Sequence, residues 1–285
     1  QNLLTRGLLH RSDPQPDTGT PDTLTPSFDL HPIVRRYTYD RMSDEERIDI
    51  HVQLRDYFAA VKTPRRIEKL EDLNPLIELC HHTIRAGKYD EAMVLFFQRL
   101  EYFTYFQFGA YQLRIEILQE LFPDGGDRPP KLDEEGAQAW VLGALGASYA
   151  MSGQPNRAIK LGEAHNAIRK RIGDNKSLAV GLGNLATQQT EIGALQEAEI
   201  NLQQSIALCS KNEFEYWKAV GHQHLGLTLI YCGRWRESEQ NLDIAMTSFK
   251  NRGNIQDQGI VWAYRSLRFL LLARSQPEPS TEHYQ

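Results

Sequence analysis

The stretch NLATQQTEIGALQEAEINL, from Asn184 to Leu202, carries a pattern that recurs along the second half of the chain. Its central glycine, Gly193, has counterparts at Gly153 and Gly233, so equivalent glycines lie 40 residues apart. Helices commonly end at a residue with positive φ, and glycine adopts that conformation without steric cost. Each copy therefore predicts two helices joined by a turn at the glycine.

Other positions of the pattern indicate how the two helices pack. A bulky or cyclic residue follows each glycine by two positions and fills the corner of the turn, and Ala or Ser follows by five. A leucine eight positions before each glycine is itself followed by Gly or Ala. Small side chains at both places let the helices approach closely. The residues are Pro155, Leu195 and Trp235 at the corner, Ala158, Ala198 and Ser238 on the second helix, and Gly146, Ala186 and Gly226 on the first.

The composition is that of a soluble globular protein. Of the 285 residues, 41% are hydrophobic and 24% are charged, and the formal net charge is −5. This balance disfavours nucleic-acid binding, which usually requires a basic domain. The widely separated Cys80, Cys209 and Cys232 predict reduced, mostly buried thiols in a cytoplasmic protein. The longest apolar run is too short to cross a membrane, so we expect no membrane partner.

The first segment has a different character from the repeats. Residues 12–27 are rich in proline and predict a loop, and the flanking GLLHR and FDLHP predict two short strands that close a hairpin over it. Pro32 then begins a helix, and Ser43 and Glu46 form a capping box that begins the next one. The glycines and prolines of FPDGGDRPPK, from Phe122 to Lys131, predict a boundary.

Several stretches invite a catalytic or metal-binding interpretation that their spacing does not favour. The P-loop-like stretch from Gly173 to Ser177 lacks the glycine that must precede the lysine, so we expect no ATP hydrolysis and no catalytic residue in this chain. The neighbouring histidines of Cys80-His81-His82 and His222-Gln223-His224 diverge on a helix, so we expect no metal site. The aromatic run from Tyr102 to Phe108 is interpreted as core.

Three segments, LGASYAMSGQPNRAI, NLATQQTEIGALQEAEINL and HLGLTLIYCGRWRESEQNL, together resemble the tetratricopeptide repeat (TPR). The resemblance implies an all-α fold, a TPR-like α-solenoid of helical hairpins. Its unit of 40 residues implies longer helices than the usual 34-residue unit, as in the kinesin-light-chain-like subgroup. A divergent copy, AGKYDEA, starts at Ala86 and is followed by an extra predicted helix from Phe106 to Leu121. A last helix, from Ile255 to Ala273, is predicted to cap the array.

The segment FDLHPIVRRYTYDRMSDEERIDIHVQLRDYF is similar to the second half of the winged-helix domain in STAND-type signalling ATPases, the group of NB-ARC and AP-ATPase proteins. This resemblance implies a nucleotide-binding domain outside this chain, with ADP or ATP and Mg as its cofactors, and no cofactor in the chain itself. It also implies that His31 contacts a phosphate of bound ADP in the parent protein. Pro32 stands where the family motif has Asp.

These resemblances divide the chain into four parts. Residues 1–43 correspond to the C-terminal half of a winged-helix domain, a small N-terminal remnant with the wing loop at 12–27. Residues 44–131 form a helical linker and a divergent TPR-like hairpin. Residues 132–274 form the TPR array with its capping helix, and residues 275–285 a flexible tail.

The resemblance also implies a ligand groove, because the first helix of each TPR hairpin lines the concave surface. The corresponding positions are Trp140, Met151, Asn184, Thr187, Gln188, Glu191, Gln223, His224 and Tyr231. Such a mixed polar and aromatic groove suits a protein, a peptide or a small polar ligand.

Two functions remain open at this point. The first is a non-enzymatic sensor and protein-interaction module of a STAND signalling ATPase, which binds a partner through the TPR groove and relays the event to the nucleotide switch. The second is a winged-helix transcription regulator that contacts DNA and uses the repeats as an effector-binding domain. The arginines of the first segment favour the second, and the acidic overall balance favours the first.

Overall fold

A computed structural model describes residues 8–12, 27–126 and 128–275, and the chain forms two compact units, residues 1–88 and 89–285. In the first unit, strand β1 (Leu9–Ser12) pairs antiparallel with strand β2 (Ser27–Leu30), as the sequence predicts. The predicted loop between them lies outside the described residues. The assignment of these strands to a winged-helix domain stays a prediction.

The described residues of the first unit form three α-helices, of which the first two begin where the sequence predicts. They are α1 (Pro32–Asp40), α2 (Asp44–Ala60) and α3 (Asn74–Arg85), with a short 3₁₀ helix at Leu70–Leu73. Ser43 and Glu46 form the reciprocal hydrogen bonds of a capping box at the start of α2, with N···O distances of 2.8 and 3.2 Å. Buried His51 joins α2 to its neighbours: its Nε2 lies 2.9 Å from Tyr39 Oη and its Nδ1 lies 3.0 Å from His82 Nδ1.

The second unit begins with irregular helical turns. Helix α4 (Tyr89–Leu95) continues into two π-helical segments, Phe96–Leu100 and Phe103–Gln107, and helix α5 spans Tyr111–Gln119. The predicted extra helix was therefore placed five residues too early. Gly109, with φ of 58°, breaks the chain direction before α5 begins.

The aromatic run from Tyr102 to Phe108 is not uniformly core, so this prediction was wrong in part. Tyr102 and Phe106 are 62% and 69% exposed, whereas Thr104 is fully buried. Consecutive residues of a helix point in different directions, and seven of them therefore cannot share one buried face.

Three helical hairpins and a final helix form the rest of the second unit, as the TPR resemblance implies. They are α6 (Glu135–Met151) with α7 (Pro155–Arg171), α8 (Asn175–Glu191) with α9 (Leu195–Lys211), α10 (Glu215–Tyr231) with α11 (Trp235–Arg252), and α12 (Ile255–Ser275). The fold is thus a nearly all-helical, TPR-like solenoid, and α12 caps it by packing against α10 and α11.

The glycine turns that the sequence predicts are confirmed. Gly153, Gly193 and Gly233 have φ values of 73°, 81° and 70°. Equivalent turns also follow the second helices, at Gly173 and Gly253, with φ of 74° and 71°. The left-handed turns therefore recur every 20 residues, twice in each 40-residue unit.

Close helix packing at the small residues is also confirmed. A Cβ atom added to Gly226 would lie 2.6 Å from Leu242 Cδ2, and one added to Gly146 would lie 3.4 Å from Leu161 Cβ. Ala186 is fully buried in a cluster with Leu202 of the next helix. Small residues are needed here because the first and second helices of a hairpin touch at these positions.

The cysteine prediction needs one correction, since Cys80 and Cys209 are buried but Cys232 is exposed. Cys232 follows the last residue of α10, where the chain turns toward α11 and comes to the surface.

Among the residues that the structure describes, every helix is too short or too polar to span a bilayer.

Candidate functional site: a cavity between the first two repeats

The second unit contains a cavity of about 690 Å³ between the first helices α6 and α8. Side chains from α5, α7 and α10 and from the π-helical turns complete its lining. The volume is within the range of ordinary ligand sites, which is roughly 300–1,000 Å³.

His165 of α7 keeps the two first helices apart. Its Nδ1 lies 2.7 Å from the carbonyl oxygen of Ala139, to which it donates a hydrogen bond. A Cβ added to Gly143 would lie 2.9 Å from His165 Nδ1, and one added to Gly181 would lie 3.0 Å from its Nε2. The two glycines thus make room for the imidazole, and burial lowers the pKa of His165 below its ordinary value.

Arg114 of α5 lies at one end of the cavity and is almost fully buried, with 1% of its surface exposed. Its Nε donates to Ser148 Oγ at 3.0 Å, and its Nη1 forms an ion pair with Glu101. The guanidinium also stacks over the rings of Phe96 and Tyr105, at 5.5 and 4.9 Å from their centroids. These contacts hold Arg114 in one orientation.

Arg169 and Lys176 lie near the other end of α6. Arg169 Nη1 pairs with Asp174 Oδ2 at 3.2 Å, and Asp174 Oδ1 accepts a hydrogen bond from Ser177 N, which caps α8. Burial raises the pKa of Asp174, but the Ser177 hydrogen bonds and the Arg169 charge outweigh that effect and leave it below the ordinary value. Lys176, in the first turn of α8, is exposed at the rim.

Aromatic and small apolar side chains line the space between these cations. Trp140 of α6 meets Phe97 edge to face, with ring centroids 5.2 Å apart. Trp217 of α10 and the exposed Phe106 also line the cavity, along with Ala147 and other small residues of α6. The wall therefore presents apolar surface to any ligand that enters.

Six of the nine predicted groove residues line this cavity: Trp140, Met151, Asn184, Thr187, Gln188 and His224. Glu191 and Tyr231 are the exposed last residues of α8 and α10 and lie outside it. Gln223 was predicted to line the groove, but only 2% of this residue is exposed. Its Nε2 donates to the carbonyl oxygen of Asp257 at 3.3 Å, so its side chain is used in packing α10 against α12.

His224 contributes a neutral imidazole to the cavity. Its Nδ1 lies 3.2 Å from Thr187 Oγ1, which also donates to the carbonyl oxygen of Gly183 at 3.1 Å. Burial lowers the pKa of His224, so the ring carries no charge near neutral pH.

The cavity residues that were missed in the sequence include Phe106, Arg114, His165, Arg169, Lys176 and Trp217. Phe106 and Arg114 precede the regular repeats, where the pattern carries no information. The sequence did contain a signal for His165. Gly143 and Gly181 lie inside helices, where a glycine usually indicates that a neighbouring group packs closely against the helix.

His31 is the N-cap residue of α1. Its Nδ1 accepts a hydrogen bond from the backbone N–H of Ile33 at 3.3 Å, and Pro32 follows as the first helical residue. A contact to nucleotide stays a prediction for the parent protein.

No family model matches the sequence, and no curated protein matches it. Solved structures do show similarity of fold. Aspartyl phosphate phosphatase F from Bacillus subtilis is 10% identical with a TM-score of 0.58, and the match covers 78% of this chain and 54% of that chain. This chain therefore spans about half the length of that protein.

Two other solved structures have helical repeats named in their descriptions. A putative kinesin light chain of TPR-like repeats from Podosopora anserina is 18% identical, with a TM-score of 0.42, and 78% of this chain and 93% of that chain are covered. The STAND protein PH0952 from Pyrococcus horikoshii, which has a tetratricopeptide repeat sensor, is 12% identical with a TM-score of 0.39 and covers 85% of this chain and 46% of that chain. The similarity to aspartyl phosphate phosphatase F is one of fold.

Proposed function

We propose that this chain is a non-enzymatic interaction module that binds a protein or peptide partner in the cavity between α6 and α8. The observation that carries the proposal is the space itself. Helix α8 packs on α10 and α10 on α12, whereas His165 separates α6 from α8. An open, partly apolar cavity lined by convergent polar groups is typical of a ligand site.

The polar residues support recognition rather than packing. Asn184 is exposed on the cavity wall, and Gln188 lies one helical turn further along α8. Carboxamide groups offer both donors and acceptors, which suits the backbone of an extended peptide.

We further propose that binding is relayed to the nucleotide-binding domain of a STAND signalling ATPase, with ADP or ATP and Mg bound there. The resemblance of the first segment to a winged-helix domain supports this order of domains. Reading the coding sequence that precedes Gln1 tests the relay. A P-loop there would support it, and a coding region without one would contradict it.

The alternative function, DNA binding by the first segment, has less support. Arg35 pairs with Asp29, and Arg36 Nε lies 3.6 Å from Asp40 Oδ2. Positive charges that are paired with carboxylates attract phosphate groups weakly.

The binding proposal is tested with two sets of substitutions in this chain, each immobilised and compared with the unchanged chain for its retention of a recovered partner. The combined variant Met151→Ala, Asn184→Ala and Gln188→Ala changes only cavity-lining residues and should abolish retention of the partner. The matched control, Gln203→Ala with Gln240→Ala, changes exposed residues of the second helices and should retain it. Retention by the cavity variant together with loss in the control would show that another face binds the partner.

A further inference from the structure

We propose that this chain forms a two-fold symmetric dimer in which the exposed face of α12 packs antiparallel against α12 of a second copy. The inference goes beyond the proposed function, because the residues that line the cavity belong to helices before α12. Three features of α12 carry it: the spacing of its exposed residues, their place in the repeat, and the match between large and small side chains when one helix is reversed.

An exposed stripe without charged residues runs along the whole of α12. Its members follow one another at alternating intervals of four and three residues, which is the heptad spacing of a helix that pairs with another helix. Trp262 and Phe269 are 56% and 61% exposed, and Ile255 is 82% exposed. The stripe, termed the α12 seam, consists of Ile255, Gly259, Trp262, Ser266, Phe269 and Ala273.

A second helix covers the corresponding positions of the preceding first helix. Gly259 and Ser266 lie 40 residues after Ala219 and Gly226 of α10. Ala219 is 2% exposed in a cluster with Leu242 of α11, and a Cβ added to Gly226 would lie 2.6 Å from Leu242 Cδ2. The α12 seam therefore has small residues at the places where first and second helices touch in the repeats, so its shape suits a packed helix.

The described part of the chain contains no second helix for α12. Ala273 stands where the hairpin turns have Gly153, Gly193 and Gly233, and α12 continues through this position to Ser275. The positive-φ turn that brings a second helix back onto the first is therefore missing from α12. In the residues that the structure describes, the α12 seam is open to a helix of a second copy.

The α12 seam is complementary to itself when one copy is reversed. Its large and small residues alternate, so in an antiparallel pair each large side chain faces a small residue of the second copy. The facing pairs are Ile255 with Ala273, Gly259 with Phe269, and Trp262 with Ser266. In a parallel pair, large residues would face large ones and small residues would face small ones, which leaves gaps between the helices. The antiparallel arrangement uses the same patch on both copies, as a two-fold axis requires.

The charges beside the α12 seam are balanced within one copy. Arg265 and Arg268 pair with Glu239 of α11, with N···O distances of 3.0 and 3.1 Å, and Arg265 also pairs with Asp243. Two arginines and two carboxylates leave this flank close to neutral. Two identical copies therefore meet there without strong repulsion.

The side chains of the α12 seam are held in place before two copies meet. The guanidinium of Arg265 lies over the ring of Trp262, 5.1 Å from the centroid, and that of Arg268 lies over Phe269 at 5.2 Å. Ser266 Oγ donates to the carbonyl oxygen of Trp262 at 3.0 Å, so its hydroxyl has a partner when the seam is covered. Fixed side chains lose less conformational entropy on association.

The area of the exposed face is sufficient for a specific dimer. Leu270, which is 51% exposed, and Ala263 extend the apolar surface beside the α12 seam. The exposed parts of these residues and of the seam amount to roughly 600 Å² per copy, or about 1,200 Å² for a pair, which is the lower bound of specific interfaces. We therefore expect a dimer that forms at micromolar concentrations of the protein.

Sedimentation equilibrium of the full chain measures the association. Between about 1 and about 300 µM, we expect the mass to rise from the 32.7 kDa of one chain toward twice that value. A mass that stays at one chain over this whole range would overturn the proposal and leave the face to a helix of another polypeptide.

A charge at the centre of the α12 seam locates the interface. Ser266→Glu should raise the dissociation constant of the dimer at least about tenfold, because the carboxylate would be buried against Trp262 of the second copy. The matched control is Ala207→Glu, which adds the same charge at an exposed small residue of α9 and should leave the constant unchanged.

Circular dichroism shows whether these variants fold. If Ser266→Glu does not, Trp262→Ala truncates an exposed side chain of the same seam and should weaken the dimer to a similar extent. Association that neither seam substitution weakens, or that Ala207→Glu weakens equally, would overturn the seam as the interface.

Cysteine pairing tests the direction of the two helices. Ile255→Cys and Ala273→Cys are prepared separately in a Cys232→Ser background, which removes the exposed thiol, and diamide is the oxidant. We expect a disulfide-linked dimer from a mixture of the two variants and none from either alone, because equal positions of antiparallel helices would lie about 27 Å apart. Linked dimers from each variant alone, or none from the mixture, would overturn the antiparallel arrangement.

Discussion

The imidazole Nδ1 of His165 lies 2.7 Å from the carbonyl oxygen of Ala139, so a side chain of a second helix is fixed between two first helices. This contact explains why the cavity opens between α6 and α8 and why both helices carry an internal glycine at that level. A substitution at either glycine should therefore change the shape of the cavity even though it leaves the polar side chains of the lining unchanged.

Gly181→Ala should destabilise the second unit. The added Cβ would lie 2.1 Å from Asn166 Oδ1 and 2.8 Å from His165 Cδ2, and the buried neighbours have little room to move. We expect a loss of about 1–3 kcal/mol in the free energy of unfolding, measured by urea denaturation. The matched control is Gly183→Ala in the same helix, where the nearest atom, Ser205 Oγ, is 4.0 Å away. Alanine there should stabilise by up to about 1 kcal/mol, and equal effects of both substitutions would contradict the tight fit.

Glu213→Gly should stabilise the protein. Glu213 occupies the turn equivalent to Gly173 and Gly253 and has φ of 59°, a left-handed conformation that costs a non-glycine residue about 1 kcal/mol. The reverse experiment, Gly193→Ala at φ of 81°, should destabilise by a similar amount. Thermal denaturation of the two variants should therefore shift the midpoint in opposite directions. A lower midpoint for Glu213→Gly would show that its side chain contributes more than the backbone strain costs.

Stability should fall as the pH falls below about 6.5. Burial lowers the pKa of His165, His222 and His224 from the ordinary value of 6.5. The unfolded chain then binds more protons than the folded chain below that pH, so the free energy of unfolding is greatest above 6.5 and decreases toward the lowered values. Urea midpoints from about pH 7.5 to about pH 5.5 measure this loss. The variant with His222→Gln and His224→Gln should lose less, and an unchanged pH dependence would contradict the assignment.

Glu101→Gln should destabilise the region around the π-helical turns. The substitution leaves buried Arg114 without its carboxylate, and we expect a cost of about 2 kcal/mol because Glu101 is itself partly exposed. The double variant Glu101→Leu with Arg114→Met removes both charges and should recover most of that loss. Chemical denaturation of the unchanged protein, Glu101→Leu, Arg114→Met and the double variant measures the coupling. Additive effects would show that the ion pair contributes nothing measurable.

The sequence by itself determined the repeat and its turns. The requirement of positive φ at Gly153, Gly193 and Gly233 is local, and so is the capping box at Ser43. The regular spacing of these local signals also determined the number of hairpins and the cap at α12. Such signals are visible in a single sequence because each depends on residues within a few positions of one another.

The tertiary structure decided what lies in the cavity. Arg114 and Ser148 are 34 residues apart, and His165 and Ala139 are 26 apart, so neither contact follows from the repeat pattern. Gln223 and His224 are neighbours in sequence, yet one is used in packing against α12 and the other lines the cavity. The direction of each side chain depends on which helix packs beside it, and that information is spread over the whole chain rather than over one turn.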